Sequence, residues 1–266
     1  MPITPIGDAL ADRHRSSQVL TAEKVIQEGY RRAGLVQPGN RQSTQAFFDL
    51  TFPALRQGRR DSRGLAGKYY QQLRVVESGA VDQDFLEDEG RDLSVAERYR
   101  RSLDFFVDNK YTKSLDSGVP AAKARQSFAN DVAGTLVRHT LDAGRDQIIE
   151  NVRRDRVATG FVRITAGDIK VCYFCAMLAS RIDYKEGSFD RSDARFVAGG
   201  DAMANAKVHD LCRCSVRALW DDDIPDSTVR FQDLWYDLSG NGSDPLRSFR
   251  SGWEKLIRSG ALPLAG

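Results

Sequence analysis

Apolar residues recur at helical spacing through most of the first 160 positions of the chain, and the pattern predicts a run of helices. Thr21 is placed to cap "AEKVIQEGYRRAG", which stops at Gly34. "STQAFFDLTFPALRQGRR" predicts a second helix, broken or kinked at Pro53, and "SRGLAGKYYQQLRVVESG" a third. "LSVAERYRRSLDFFVDNKYTKSLDSG" opens with Ser94 and Glu97 at capping-box spacing and closes at Gly118. The longest helical pattern runs from Pro120 towards Gly160. In it Phe128, Val132, Leu136 and His139 to Thr140 step along one side, as do Ile148, Ile149 and Val152, with Gly134 and Gly144 as candidate kinks.

The period changes near Gly160. "FVRIT" is a short β-type run, and Arg213 to Trp220 alternates as a strand does. Between them lie "GDIKVCYFCAMLASR" and a Gly/Ser/Asp-rich stretch from Asp183 to Asp201. After a break at Ser239 to Ser243, a last helix is framed by Asp244 as N-cap, Pro245 at the first position and Gly260 as the stop. The expected fold class is α+β, with a helical region over residues 1–160, a small zinc-stabilised module over 161–220, and an extension over 221–266 that ends in a short docking helix.

Composition changes this picture little. The hydrophobic share of 41% supports a packed core, and a net charge of +2 gives no global field that would attract nucleic acid or a membrane. No apolar run approaches the ~18 residues of a membrane span. "MPITPIGDALADRHR" lacks the basic and apolar regions of a secretory signal, so a reducing cytoplasm, or a particle assembled there, is the expected compartment.

The cysteines carry the chemistry. All four fall in one region, as Cys172 and Cys175 in "VCYFCAMLASR" and Cys212 and Cys214 in "VHDLCRCSVRAL", with His209 just ahead. In a reducing compartment such a cluster points to metal before disulfides. Zinc takes four thiolate or imidazole ligands in a tetrahedron, and C-x-x-C supplies two from one tight turn. Five candidates compete for four places. Cys212 and Cys214 share a face if the strand includes both; His209 with one cysteine is the better second pair if it does not. A closed four-ligand site is structural rather than catalytic. Three other readings compete: buried structural thiols, a redox C-x-x-C, which gains nothing from the second cluster, and a Cys–His nucleophile, which needs a histidine not surrounded by thiols.

"CYFCAMLASR", then "DYK", a variable loop and "HDLCRCSV" together resemble the MuF-like minor head proteins of tailed phages, in their actinobacteriophage branch. The resemblance covers about residues 160–220. That family ends its domain with a His-x-x-Cys-x-Cys strand after an upstream Cys-x-x-Cys; Asp210 stands here where the pattern often has Pro. The resemblance implies a low-copy virion protein in the capsid interior near the portal, made in the host cytoplasm and acting in head assembly or genome delivery. Its implied partners are the portal protein and the major capsid or scaffold protein. It favours His209 and Cys214 over Cys212 as the second pair. Some relatives are labelled capsid maturation proteases, which is the alternative reading. Others carry a toxin domain after the module; the residues beyond Trp220 are too few for one, so no added enzyme is expected.

Other patches weigh less. Arg56, Arg59, Arg60 and Arg63 could touch packaged DNA non-specifically, although a solvated loop is the commoner explanation for such a run. "DQDFLEDEGRD" reads as an acidic connector. "WDDDIPD" offers adjacent carboxylates without the loop that would make them converge on a divalent ion. The aromatic "FQDLWYDL" and the helix with Trp253 suit packing on the chain's own core or on a partner. His14 and His139 have the surroundings of ordinary histidines. With no nucleophile–base pair in view, a non-enzymatic role is expected.

Overall fold

Three long helices make the frame of the computed structural model, which describes residues 3–81, 85, 93–165, 171, 173–180, 182–184, 213–221, 223–240 and 244–260. Helix α1 spans Pro5–Arg32; Thr4 caps it by accepting from the Gly7 N–H at 2.9 Å. Thr21 therefore does not start a helix. It sits mid-helix, its hydroxyl donating back to the Ser17 carbonyl at 3.1 Å. The upstream half was not recognisable as helix because its buried stripe is Gly7, Ala11, His14 and Gln18, small or polar residues that leave no apolar period. Helix α2 spans Arg41–Ser78, capped by Asn40 and closed by Gly79 at φ 67°. It joins the two segments that the sequence reads as a second and a third helix, and it runs on through Pro53. Pro53 and Asp49, whose carbonyl loses its N–H partner, are both on the solvent side, where the carbonyl is open to water.

Helix α3 (Leu93–Phe106) runs through a π-turn at Val107–Tyr111 into α4 (Thr112–Asp116), ending before Gly118 at φ 82°. Helix α5 spans Ala121–Arg154 without a break at Gly134 or Gly144. Gly144 instead permits close approach. A Cβ there would lie 2.6 Å from Gln18 Nε2 and 2.7 Å from Ser62 Oγ. Those two side chains tie α1 to α2 beneath it: Ser62 Oγ donates to Gln18 Oε1 at 2.6 Å, and Gln18 Nε2 donates to the Ser62 carbonyl at 2.8 Å. One apolar cluster, with Phe47, Leu55, Tyr99, Leu103, Phe128, Val132 and Leu136, fills the end of the frame away from the sheet.

Strand β1 (Gly160–Ile164) is central in a three-stranded antiparallel sheet. It pairs with β2 (Ile182–Tyr184) on one side and β3 (Ser215–Leu219) on the other, with Phe161 opposite Ala218 and Val162 opposite Arg217. The alternation in β3 suggests one solvent face, but all five of its residues are buried. Val216 and Ala218 join Tyr69, Tyr70, Ile148, Ile149 and Val152 in a second core, between helices and sheet. Arg217, on the alternate positions, pairs with Asp8 of α1 and Glu77 of α2.

A third core belongs to the cysteine region. It holds Val171, the short helix α6 (Tyr173–Ala179), Cys214, and residues of α7 (Asp226–Ser239) and α8 (Pro245–Ser259). The frame of α8 is as the sequence predicts: Asp244 Oδ1 accepts from the Arg247 N–H at 3.0 Å, Pro245 leads, and Gly260 ends it at φ 69°. Phe249 and Trp253, the large apolar residues of its inner face, are fully buried against the chain's own α6 and α7.

A candidate metal-binding module

Helix α6 is a two-turn element that presents Cys175 inward among Ala176, Met177, Leu178 and Ala179, all buried. Cys214 lies one residue ahead of β3 and is buried in the same cluster. The two cysteines thus come from segments far apart in sequence and share one core with Phe231, Phe249 and Trp253. Two polar anchors fix the backbone around them. Trp253 Nε1 donates to the Val171 carbonyl at 3.0 Å, and Arg145 Nη1 of α5 donates to the Cys214 carbonyl at 2.8 Å.

Cys172, His209 and Cys212 lie outside the described residues. Among the described residues no three His, Cys, Asp or Glu side chains gather into a metal-sized group. Two of the five ligand candidates are described. Cys175 supplies one half of the C-x-x-C and Cys214 one half of the second cluster, and both occupy the same apolar core.

The remaining sequence candidates are dispersed. Arg56 and Arg60 are exposed on α2, while Arg59 and Arg63 are buried at 1% and 5% exposure, so the four do not form one face for DNA. The stretch is mid-helix, not a loop, and Arg59 Nη1 donates to the His139 carbonyl at 2.6 Å. Asp221 and Asp223 make a local turn, the Asp223 N–H donating to Asp221 Oδ1 at 3.1 Å, and Asp226 opens α7. Of the acidic connector only Phe85 is described, buried and edge-on to Tyr70. His14 stacks on Tyr69 at 4.4 Å, and burial holds its pKa down at about 4. His139 meets the ring of Tyr99 edge-on, and burial, aided by the nearby Arg138, lowers its pKa to about 3. Both imidazoles are therefore neutral at physiological pH.

A family model described as "VG15 protein" matches residues 6–237. The chain belongs to the VG15 protein family. That is a family of viral (phage) proteins, and the match spans the helical frame as well as the cysteine region. No curated protein and no solved structure matches the chain. The VG15 match ends at residue 237, in α7, so α8 and its Trp253 lie beyond the shared part although they complete the core around the cysteines. No helix among the described residues is long and apolar enough to cross a membrane.

Two polar hubs escaped the sequence reading. Asp155, fully buried, accepts from Tyr70 Oη (2.9 Å), Arg74 Nε (2.9 Å) and Trp220 Nε1 (3.1 Å) on Oδ2, and from the Val157 N–H (3.1 Å) on Oδ1. Burial opposes its ionisation, but these donors outweigh burial and hold its pKa below the usual carboxylate range. The second is Arg217 with Asp8 and Glu77; burial raises the Glu77 pKa in spite of the neighbouring guanidinium. Both hubs bind helices to the sheet. Isolated charged residues on separate elements carry no local pattern, so only the tertiary fold reveals them.

Proposed function

We propose that this VG15-family chain is a minor head protein of a tailed phage, placed in the capsid interior near the portal, with a structural zinc site in its C-terminal half. The observation that carries the reading is the meeting of Cys175 and Cys214 in one buried cluster. It brings one cysteine of the Cys-x-x-Cys and one of the His-x-x-Cys-x-Cys pattern onto a common core, which supports a shared tetrahedral ion. Cys172, Cys175, His209, Cys212 and Cys214 are the ligand candidates. Zinc there would supply a cross-link, and binding of ~10–16 kcal/mol in small zinc peptides is large beside what so small a core contributes. Family membership supports the phage context. The partners proposed are the portal and the major capsid or scaffold protein. The burial of Arg59 and Arg63 and the neutral balance of the chain favour protein partners over DNA.

The chain is proposed to lack proteolytic activity, since its sequence offers no evident nucleophile–base pair and both described histidines are buried. The placement is tested by fractionating phage particles and cross-linking the heads. Recovery in heads, cross-linked to the portal ring, is the expected result; recovery only in the tail fraction or the lysate would overturn it. Specific cleavage of the uncleaved major capsid protein by the purified chain would overturn the non-enzymatic reading.

A further inference from the structure

Helices α7 and α8 make a surface layer with one acidic and one basic helix. They run antiparallel over the third core: Trp235 packs on Phe249 with ring centres 4.9 Å apart, and Phe231 on Trp253 at 6.0 Å. With their apolar sides turned to that core, their other sides meet solvent. On α7, Asp226, Asp233 and Asp237 are exposed against one basic residue, Arg230, so three negative charges stand against one positive. These aspartates are seven and four residues apart and share one stripe of the helix. On α8, Arg247, Arg250, Lys255 and Arg258 are exposed against Glu254, four positive charges against one negative. The ion pair on this layer is Arg250–Glu254 at 2.9 Å, within α8, and among the described residues none joins α7 to α8. The opposite charges are therefore not neutralised across the hairpin. Apolar side chains stand among them: Val229 of α7 is 40% exposed, and Leu246 and Ile257 of α8 are 45% and 41% exposed.

We propose that this layer is a contact between two copies of the chain, with α7 of each copy set against α8 of the other. Charge complementarity selects that occupant. About a two-fold axis a surface meets itself, so a contact of one residue with another is repeated with the copies exchanged. The acidic helix then faces the basic one twice. A partner of a single sign, such as the phosphate backbone of DNA, would be drawn to α8 and repelled by α7. Exposed ion pairs are individually weak and are screened by salt, so the association is reversible and salt-sensitive. It requires neither the metal nor the virion.

The test is sedimentation equilibrium of the full chain and of two charge-reversed variants, Asp233→Lys with Asp237→Lys on α7 and Arg247→Glu with Arg258→Glu on α8. All four positions are exposed, so both variants should keep the native circular dichroism. The unaltered chain should form a dimer that weakens as salt is raised. Each variant alone should associate about tenfold more weakly or worse, because reversal sets like charges against each other in both halves of the contact. An equimolar mixture of the two variants should dimerise again, since the reversed α7 of one then meets the reversed α8 of the other and the unaltered helices meet as before. A monomer at every concentration and salt, a dimer indifferent to both reversals, or a mixture of the two folded variants that stays monomeric would each overturn the proposal. A monomeric chain whose recovery in phage heads is lost with the same reversals would assign the layer to a different protein and overturn it as well.

Discussion

The helical frame and the cysteine region solve the same problem with unequal means. The frame has helices of 28, 38 and 34 residues, and its apolar side chains fill two clusters along their length. The cysteine region has a seven-residue helix and strands of three to five residues, and its core is completed by aromatic residues of α7 and α8. Long helices bury enough surface on one another to be stable through packing. Short elements do not, which is why a cross-link is expected in the second region and none is needed in the first. The two regions are not separate, however. Val216 and Ala218 pack on the helices, and Asp155 and Arg217 bind them by charge.

The largest effect should come from breaking that joint. Asp155→Ala removes the acceptor of three side chains and leaves the Arg74 charge buried, with a loss of ~3–5 kcal/mol expected in denaturant titration. Both regions should unfold together. A transition in which the sheet melts while the frame keeps full stability would contradict the shared joint.

Trp253→Ala separates the regions. It opens a cavity under α8 and removes the bond to the Val171 carbonyl, with an expected loss of ~3–5 kcal/mol. Near-ultraviolet dichroism of the aromatic cluster should collapse, while most far-ultraviolet helical signal persists. Retention of the native near-ultraviolet spectrum would mean that α8 does not support the cysteine core. Gly144→Ala is the counterpart within the frame. The added methyl meets Gln18 and Ser62, and overpacking costs ~1–3 kcal/mol, read as a lower melting temperature.

In the frame, acid should act through the two buried histidines. The folded pKa of His139 is about 3 and that of His14 about 4, both below the ordinary 6.5, because burial disfavours the charged ring. The unfolded chain therefore takes up protons below pH ~6.5 that the folded chain refuses. Stability is full above that pH and is lost progressively as pH falls from 6.5 towards 3–4. His139→Leu should leave stability at pH 7.5 within ~1 kcal/mol and flatten this dependence. An unchanged slope between pH 6.5 and 4 would show that His139 does not carry it. Arg56→Gln with Arg60→Gln, both exposed on α2, should change stability by less than ~0.5 kcal/mol.

How much of this was legible in the sequence follows from where each signal resides. Asp244, Pro245 and Gly260 set the ends of α8 correctly, because caps act within one turn of chain. The β character of residues 161–164 and 215–219 was also local. Thr21 misled, because a buried stripe of Gly, Ala, His and Gln hides a helix from an apolar pattern. Pro53 misled, because a proline on the wet side of a long, well-packed helix costs too little to break it. The arginines at 56, 59, 60 and 63 held a readable clue. Residues 59 and 63 are four apart, as are 56 and 60, so one pair turns inward when the other turns out. That Phe249 and Trp253 pack inward could not be read, since an apolar helix face has the same sequence whether its cover is the chain itself or a partner.

The account rests on a metal that ties the short elements together, and metal content measured beside thiol titration tests it most directly. The purified chain should carry one zinc per molecule. Chelation should release the ion, expose the cysteines to reagent and erase the near-ultraviolet signal of the aromatic core, with Cys175→Ser giving the same result without chelator. Zinc near zero in a chain that keeps that signal would contradict the account.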